Sequence, residues 1–98
     1  MPYSALLIDD EELTLRTMSR SLRQDGFEIF TALSGEDGLK LFHEEKPDLI
    51  LLDIVLPGID GVDVLRQIKE ANPTAIVDVY KRQGSGDGKG RGRIGEEF

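Results

Sequence analysis

The chain has 98 residues, 39% of them hydrophobic, which is enough for one small globular domain. Its formal net charge of −7 argues against general nucleic-acid affinity, and the absence of cysteine excludes a disulfide framework and a thiolate zinc site. No apolar run approaches the roughly 20 residues of a membrane span, and the N-terminus lacks the basic flank and apolar core of a signal peptide. We therefore expect a cytoplasmic protein that does not contact a membrane.

Apolar runs and turn residues alternate along most of the chain and predict the order β-α-β-α-β-α-β. The first helix is expected to open in the acidic run 9–12, the second at the capping residue Ser34 and the third around Val62. The strands are predicted at residues 5–8, 27–32, 49–53 and from 75 onward. Because short connections between such elements favour right-handed crossovers, the expected fold class is α/β with a doubly wound parallel sheet.

Two of the predicted strands run directly into aspartate. Residues 5–8 precede Asp9 and Asp10, and residues 49–52 precede Asp53. Their unbroken apolar composition is typical of strands that are buried on both faces of a parallel sheet, where function collects at the carboxyl ends of the strands. Three carboxylates at one edge repel each other unless something positive lies between them. A hard divalent cation with oxygen ligands, Mg²⁺ above all, meets that need.

The composition changes after Val77. Residues 1–77 carry 7 Lys+Arg against 15 Asp+Glu, whereas residues 78–98 carry 5 against 4 and hold 6 of the 11 glycines. Asp78 interrupts an apolar strand, and the hexapeptide at 78–83 resembles the translation of a transposon end used in preparing sequencing libraries. We expect residues 1–77 to be a partial domain that is incomplete after the start of its fourth strand. Residues 78–98 are expected to be a non-native or disordered Gly-rich tail, with a genuine Gly-rich linker as the alternative.

Three stretches together resemble the receiver domain of two-component response regulators. They are Leu-Leu-Ile-Asp-Asp-Glu at 6–11, Asp-Leu-Ile-Leu-Leu-Asp at 48–53 and Leu-Pro-Gly-Ile-Asp-Gly at 56–61. The resemblance covers residues 3–77 and implies a flavodoxin-like sheet. It also implies a signalling module rather than an enzyme, in which Asp53 accepts a phosphoryl group from the phosphohistidine of a sensor histidine kinase or a phosphotransfer protein.

The same resemblance implies the parts of the site. Asp9 and Asp10 match the acidic pair that holds Mg²⁺, with Asp10 the more direct ligand. Asp53 itself and the backbone carbonyl of Val55 match the remaining protein ligands. The Pro-Gly pair at 57–58 matches the loop that shapes the site.

The chain departs from the family toward its C-terminus. In receivers the fourth strand ends in a Ser or Thr hydroxyl and the fifth in a Lys, and both contact the phosphoryl group. Tyr80 lies near the sequence position of that hydroxyl, but the residues around it do not match the family's pattern. Neither Lys81 nor Lys89 follows an apolar strand. Neither role is therefore assigned. The effector domain of a response regulator is expected to be missing from this chain, and this domain is not expected to bind nucleic acid directly.

Two other functions fit parts of the pattern. Phosphatases of the haloacid dehalogenase type also use an aspartate at a strand end, but a second acid follows two residues later, where this chain has Val55. A receiver-like binding module that no longer accepts phosphate is a third possibility, which the intact acidic trio argues against. Without the matching Asp53, the pair Asp9 and Asp10 would be expected only to cap a helix. The sole histidine, His43, is expected to be solvated.

Overall fold

The computed structural model describes residues 3–56, 58–80 and 96–97, so Pro57 and most of the predicted tail lie outside the described residues. Strands and helices alternate in the predicted order. The strands are β1 (Ser4–Ile8), β2 (Glu28–Ala32), β3 (Leu49–Asp53), β4 (Ile76–Tyr80) and β5 (Glu96–Glu97), and the helices are α1 (Glu12–Gln24), α2 (Gly35–Glu45) and α3 (Gly61–Ala71).

The described strands form one sheet in the order β2-β1-β3-β4-β5. The first four are parallel, and β5 is a two-residue antiparallel addition to β4. β1 and β3 lie side by side, with Leu6 opposite Ile50, and all but the first residue of each strand is buried. The predicted doubly wound parallel sheet is confirmed, and the apolar runs of β1 and β3 match their burial on both faces.

Helices cover both faces of this sheet. On one face α1 packs on the strands, and Leu15 forms a core cluster with Leu7 and Leu51. On the other face α2 and α3 enclose a larger cluster that includes Leu6 and Phe42. Successive side chains of a strand point to opposite faces, which is why the neighbours Leu6 and Leu7 belong to different clusters.

The starts of α2 and α3 and the end of α1 are marked by residues with recognisable local chemistry. The hydroxyl of Ser34 accepts a hydrogen bond from the N–H of Asp37 at 3.1 Å, as expected of the cap of α2. The carboxylate of Asp60 likewise accepts from the N–H of Val62 at the start of α3. Gly26 follows α1 with a φ of 96°, a conformation that glycine adopts readily. Among the described residues, no helix is long and apolar enough to cross a membrane.

The fourth strand extends further than its apolar pattern predicts. The pattern stops after Val77, yet β4 continues through Asp78 to Tyr80 in register with β3. Asp78 is compatible with the strand because it is only partly buried and points away from the face on which Val77 and Val79 are buried. The foreign origin of residues 78–98 stays a prediction.

A close contact between α2 and β1 allows a test of the packing. A Cβ added to Gly38 would lie 2.5 Å from Cδ1 and 2.8 Å from Cγ1 of the fully buried Ile8. We expect Gly38→Ala to lower the free energy of unfolding by about 1 to 2 kcal/mol, because the overpacking outweighs the gain in helix propensity. Urea denaturation measures this change, with Lys40→Ala on the exposed face of α2 as the control.

The double variant Gly38→Ala/Ile8→Val identifies the cause of that loss. Valine lacks the Cδ1 atom that makes the closest contact, so the two substitutions together should cost less than the sum of their separate costs. A Gly38→Ala protein that is more stable than the parent would contradict the close packing.

Candidate functional site

Three aspartates meet at the carboxyl edge of the sheet. Asp9 directly follows β1 and Asp53 is the last residue of the adjacent β3, and both are completely buried. Asp10 is exposed beside them. Each residue contributes a carboxylate oxygen to a cluster in which these oxygens lie within 4.8 Å of one another. The side chains that the sequence singles out, 44 residues apart along the chain from Asp9 to Asp53, are therefore brought together by the parallel pairing of β1 and β3.

Backbone amides orient the two buried carboxylates. The N–H of Glu11 donates to Oδ1 of Asp9 at 2.9 Å, and the N–H of Val55 donates to Oδ1 of Asp53 at 3.0 Å. In both cases the donor lies two residues beyond the aspartate, as in an Asx turn. Each turn holds its carboxylate at the rim of the sheet.

Burial makes this cluster costly unless positive charge is close to it. Removing a carboxylate from water penalises its ionised form, and neighbouring carboxylates repel each other. All the side-chain donors are oxygens, which hard divalent cations prefer. Oxygens that bind one Mg²⁺ at about 2.1 Å stand about 3 to 4 Å apart, a spacing compatible with the observed cluster. Asp9, Asp10 and Asp53 thus fit a hard divalent cation.

The N-terminus of α3 packs closely against the backbone of the loop that follows β3. A Cβ on Gly61 would lie 2.6 Å from the Cα of Ile54, so only glycine allows the helix to approach this closely. Within the loop, Val55 is 57% exposed, and Gly58 has a φ of 75°. Pro57, which the family resemblance places in this loop, lies outside the described residues.

Tyr80 contacts the site through a side-chain hydrogen bond that the sequence pattern does not predict. Its hydroxyl donates a hydrogen bond of 2.6 Å to Oδ2 of Asp9, and its Cα lies opposite that of Asp53 in the β3–β4 register. The backbone carbonyl of Tyr80 also accepts from the N–H of Ile54 at 2.8 Å. The sequence placed Tyr80 near the site but could not reveal this bond, because the apolar pattern of β4 does not predict where the strand ends.

The other polar candidates lie away from the cluster. Asp60 caps α3, and Asp63 pairs with Arg66 on the surface of that helix. His43 is exposed, and its ring meets Phe42 edge-on with 5.1 Å between centroids. Lys81 and Lys89 fall outside the described residues.

The sequence as a whole matches a known family. A sequence model of the response regulator receiver domain matches residues 5–85, which is most of the chain. The chain belongs to the response regulator receiver family. The resemblance inferred from the three acidic and Pro-Gly stretches is therefore confirmed, and the receiver domain is a signalling module of two-component systems.

Two curated relatives are similar to this receiver domain. It is 47% identical over 74 residues to the transcriptional regulatory protein AfsQ1 of Streptomyces coelicolor. It is 42% identical over 70 residues to the alkaline phosphatase synthesis transcriptional regulatory protein PhoP of Bacillus subtilis. These matches cover 76% and 71% of the chain but 33% and 29% of the relatives, so the chain spans about a third of their length.

A solved structure has the same fold. The CheX-CheY-BeF3-Mg²⁺ complex from Borrelia burgdorferi contains a chain that matches with a TM-score of 0.78 and 30% identity. The match covers 87% of the present chain and 66% of that chain. The flavodoxin-like, receiver-type fold expected from the sequence is confirmed.

Gly61 provides a test of how the fold positions the site. We expect Gly61→Ala to reduce the free energy of unfolding by about 1 to 3 kcal/mol, because the new Cβ meets backbone that cannot rotate away. The amide resonance of Val55, which reports the bond to Asp53, should shift in the same variant. Val62→Ala, at an exposed neighbouring position, is the control and should change neither quantity. An unchanged Val55 resonance in Gly61→Ala would show that α3 does not position the loop.

Proposed function

We propose that this receiver domain accepts a phosphoryl group on Asp53 from the phosphohistidine of a sensor histidine kinase or a phosphotransfer protein, in a Mg²⁺-dependent reaction in the cytoplasm. The observation that supports the proposal best is the oxygen cluster of Asp9, Asp10 and Asp53 at the carboxyl edge of the sheet. It places a candidate nucleophile, Asp53, among carboxylates that could hold a cation. Membership of the receiver family supports the same function.

In this proposal Asp53 is the nucleophile. A carboxylate oxygen of Asp53 attacks phosphorus, an O–P bond forms, and the P–N bond to the imidazole of the partner breaks. The imidazole nitrogen leaves and takes a proton from solvent. The N–H of Val55 holds Oδ1 of Asp53, which fixes the rotamer of the attacking group.

Asp9, Asp10, Asp53 and the backbone carbonyl of Val55 would hold the cation. When bound, Mg²⁺ neutralises charge on the carboxylate and the phosphoryl oxygens, which otherwise repel each other. The N–H of Glu11 donates to Oδ1 of Asp9 and so restrains the orientation of this carboxylate before a cation binds. Asp10 is exposed, so its carboxylate would be accessible to a cation from solvent.

The phosphatase alternative is less well supported. Its chemistry needs a second acid two residues after the nucleophile, to give a proton to the leaving group. Val55 occupies that position and is an exposed apolar side chain. We infer that the domain catalyses only its own phosphoryl transfer and that its output is a shift in conformation.

The output itself belongs to a longer protein. The chain spans about a third of the length of the curated relatives, and both are transcriptional regulators by name. We propose that an effector segment outside this chain acts on the target, while the acidic receiver domain contacts the kinase and not nucleic acid.

The nucleophile is tested in the full-length protein that carries this domain. Incubation with Mg²⁺ and acetyl phosphate or a cognate phosphorylated kinase should give a single phosphoryl adduct by intact mass, and Asp53→Asn should abolish it. Asp63→Asn, which removes a carboxylate on the surface of α3, is the matched control and should keep the adduct. An adduct that persists in Asp53→Asn would reject Asp53 as the acceptor.

The cation site is tested in the present chain by tyrosine fluorescence. The chain contains two tyrosines and no tryptophan, so Tyr3→Phe leaves Tyr80 as the only emitter. A cation that draws on the carboxylate of Asp9 weakens the hydrogen bond from Tyr80, and Mg²⁺ should therefore change the emission with a saturating dependence. Asp10→Asn should weaken the apparent Mg²⁺ affinity about tenfold or more, because it removes one charge from the cluster.

Sodium chloride at matched ionic strength is the control for that titration and should leave the emission unchanged. The Asp63→Asn variant should titrate like the parent. Equal Mg²⁺ affinities for the parent and Asp10→Asn would reject the cluster as the binding site.

A further inference from the structure

β2 is the outermost strand of the described sheet, and its outer edge has no partner strand there. The N–H of Glu28 donates to Tyr3, and the carbonyl of Ala32 accepts from Asp9, so these two residues direct those groups toward β1. Because the direction alternates along a strand, Ile29 and Thr31 direct their N–H and C=O groups toward the open edge. Such an edge is a template for an additional strand.

Two grooves flank this edge, one on each face of the sheet. The groove between α1 and β2 has a volume of about 660 Å³, and the groove between α2 and β2 has a volume of about 370 Å³. Thr31 and Leu33 line both of them. Side chains of an added strand would point alternately to the two faces and would therefore enter the two grooves in turn.

The two grooves differ in charge. Arg16, Arg20 and Arg23 line the α1 groove, and among the described residues that line it Glu12 is the only acidic one. In the described ranges none of these arginines forms an ion pair, although the chain carries a net charge of −7. The α2 groove is mixed, with Lys40 among acidic and apolar residues. The α1 side thus concentrates positive charge on an otherwise acidic domain.

We propose that the open edge of β2 binds an extended acidic segment of a partner protein as an additional strand, with alternate acidic side chains against the arginines of α1. Main-chain hydrogen bonds to Ile29 and Thr31 would supply affinity, and the arginine row would select acidic sequences. The three aspartates of the cluster do not line either groove, so the proposed contact does not use the carboxylate of Asp53.

A second copy of this chain fits the edge poorly. Antiparallel pairing of two β2 strands places the two-fold axis normal to the sheet, so both α1 helices lie on the same face beside the seam. The arginine rows of the two copies would then face each other, and like charges at a seam oppose association. The charge pattern therefore favours an acidic partner segment.

The test uses the full chain and a short fluorescein-labelled peptide in which Glu and Val alternate. Such a peptide in strand conformation presents all its carboxylates on one face. Fluorescence anisotropy should show binding that weakens with salt, with a Kd at least about tenfold lower than that of the matched Lys-Val peptide.

Variants separate the two parts of the proposal. The triple variant Arg16→Gln/Arg20→Gln/Arg23→Gln should raise the Kd about tenfold or more, and Arg66→Gln, on α3, is the charge control and should leave it unchanged. Thr31→Pro removes an N–H that faces the open edge and should abolish binding, whereas Thr31→Val keeps that N–H and should retain it.

Amide hydrogen exchange gives a readout that does not depend on the variants. Bound peptide should slow exchange at Ile29 and Thr31 and leave Phe30, whose amide faces β1, unchanged. Equal affinity for the Glu-Val and Lys-Val peptides, unchanged exchange at Ile29 and Thr31, or sedimentation as a dimer that β2 substitutions dissociate would each overturn the proposal.

Discussion

The burial of two carboxylates at one edge of the sheet is the constraint on which the site depends. Asp9 and Asp53 are both fully buried, and Asp10 stands beside them. Such an arrangement is unfavourable by itself, because desolvation and mutual repulsion both oppose it. The amides of Glu11 and Val55 offset part of that cost. The arrangement of the aspartates' carboxylate oxygens fits a hard divalent cation.

The rest of the domain holds those carboxylates in place. β1 and β3 pair directly, and the apolar side chains on their two faces anchor them between α1 and the α2–α3 layer. Two glycines permit this close packing: Gly38 brings α2 onto Ile8, the residue before Asp9, and Gly61 brings α3 onto the backbone of Ile54, the residue after Asp53. The core contacts and the site geometry are therefore coupled through residues that adjoin the aspartates.

The two outer parts of the sheet differ in character. On the β4 side, the hydroxyl of Tyr80 donates a hydrogen bond to Asp9, so a side chain of β4 contacts the carboxylate cluster directly. On the β2 side, the outer edge has no partner strand among the described residues and is flanked by the arginines of α1. Such a domain can use different side chains for chemistry at the carboxyl edge and for contacts with a partner, because Asp9, Asp10 and Asp53 are not among the residues that line the two grooves.

The sequence by itself determined the alternation of elements, the parallel sheet, the cap at Ser34 and the position of the acidic residues at strand ends, because each rests on local periodicity or local hydrogen bonding. Its three motif stretches also identified the receiver family. Only the tertiary structure decided that β4 continues to Tyr80, that the phenol bonds to Asp9, and that Gly61 lies against Ile54. Those features depend on strand register and on contacts between elements distant along the chain, which periodicity does not encode.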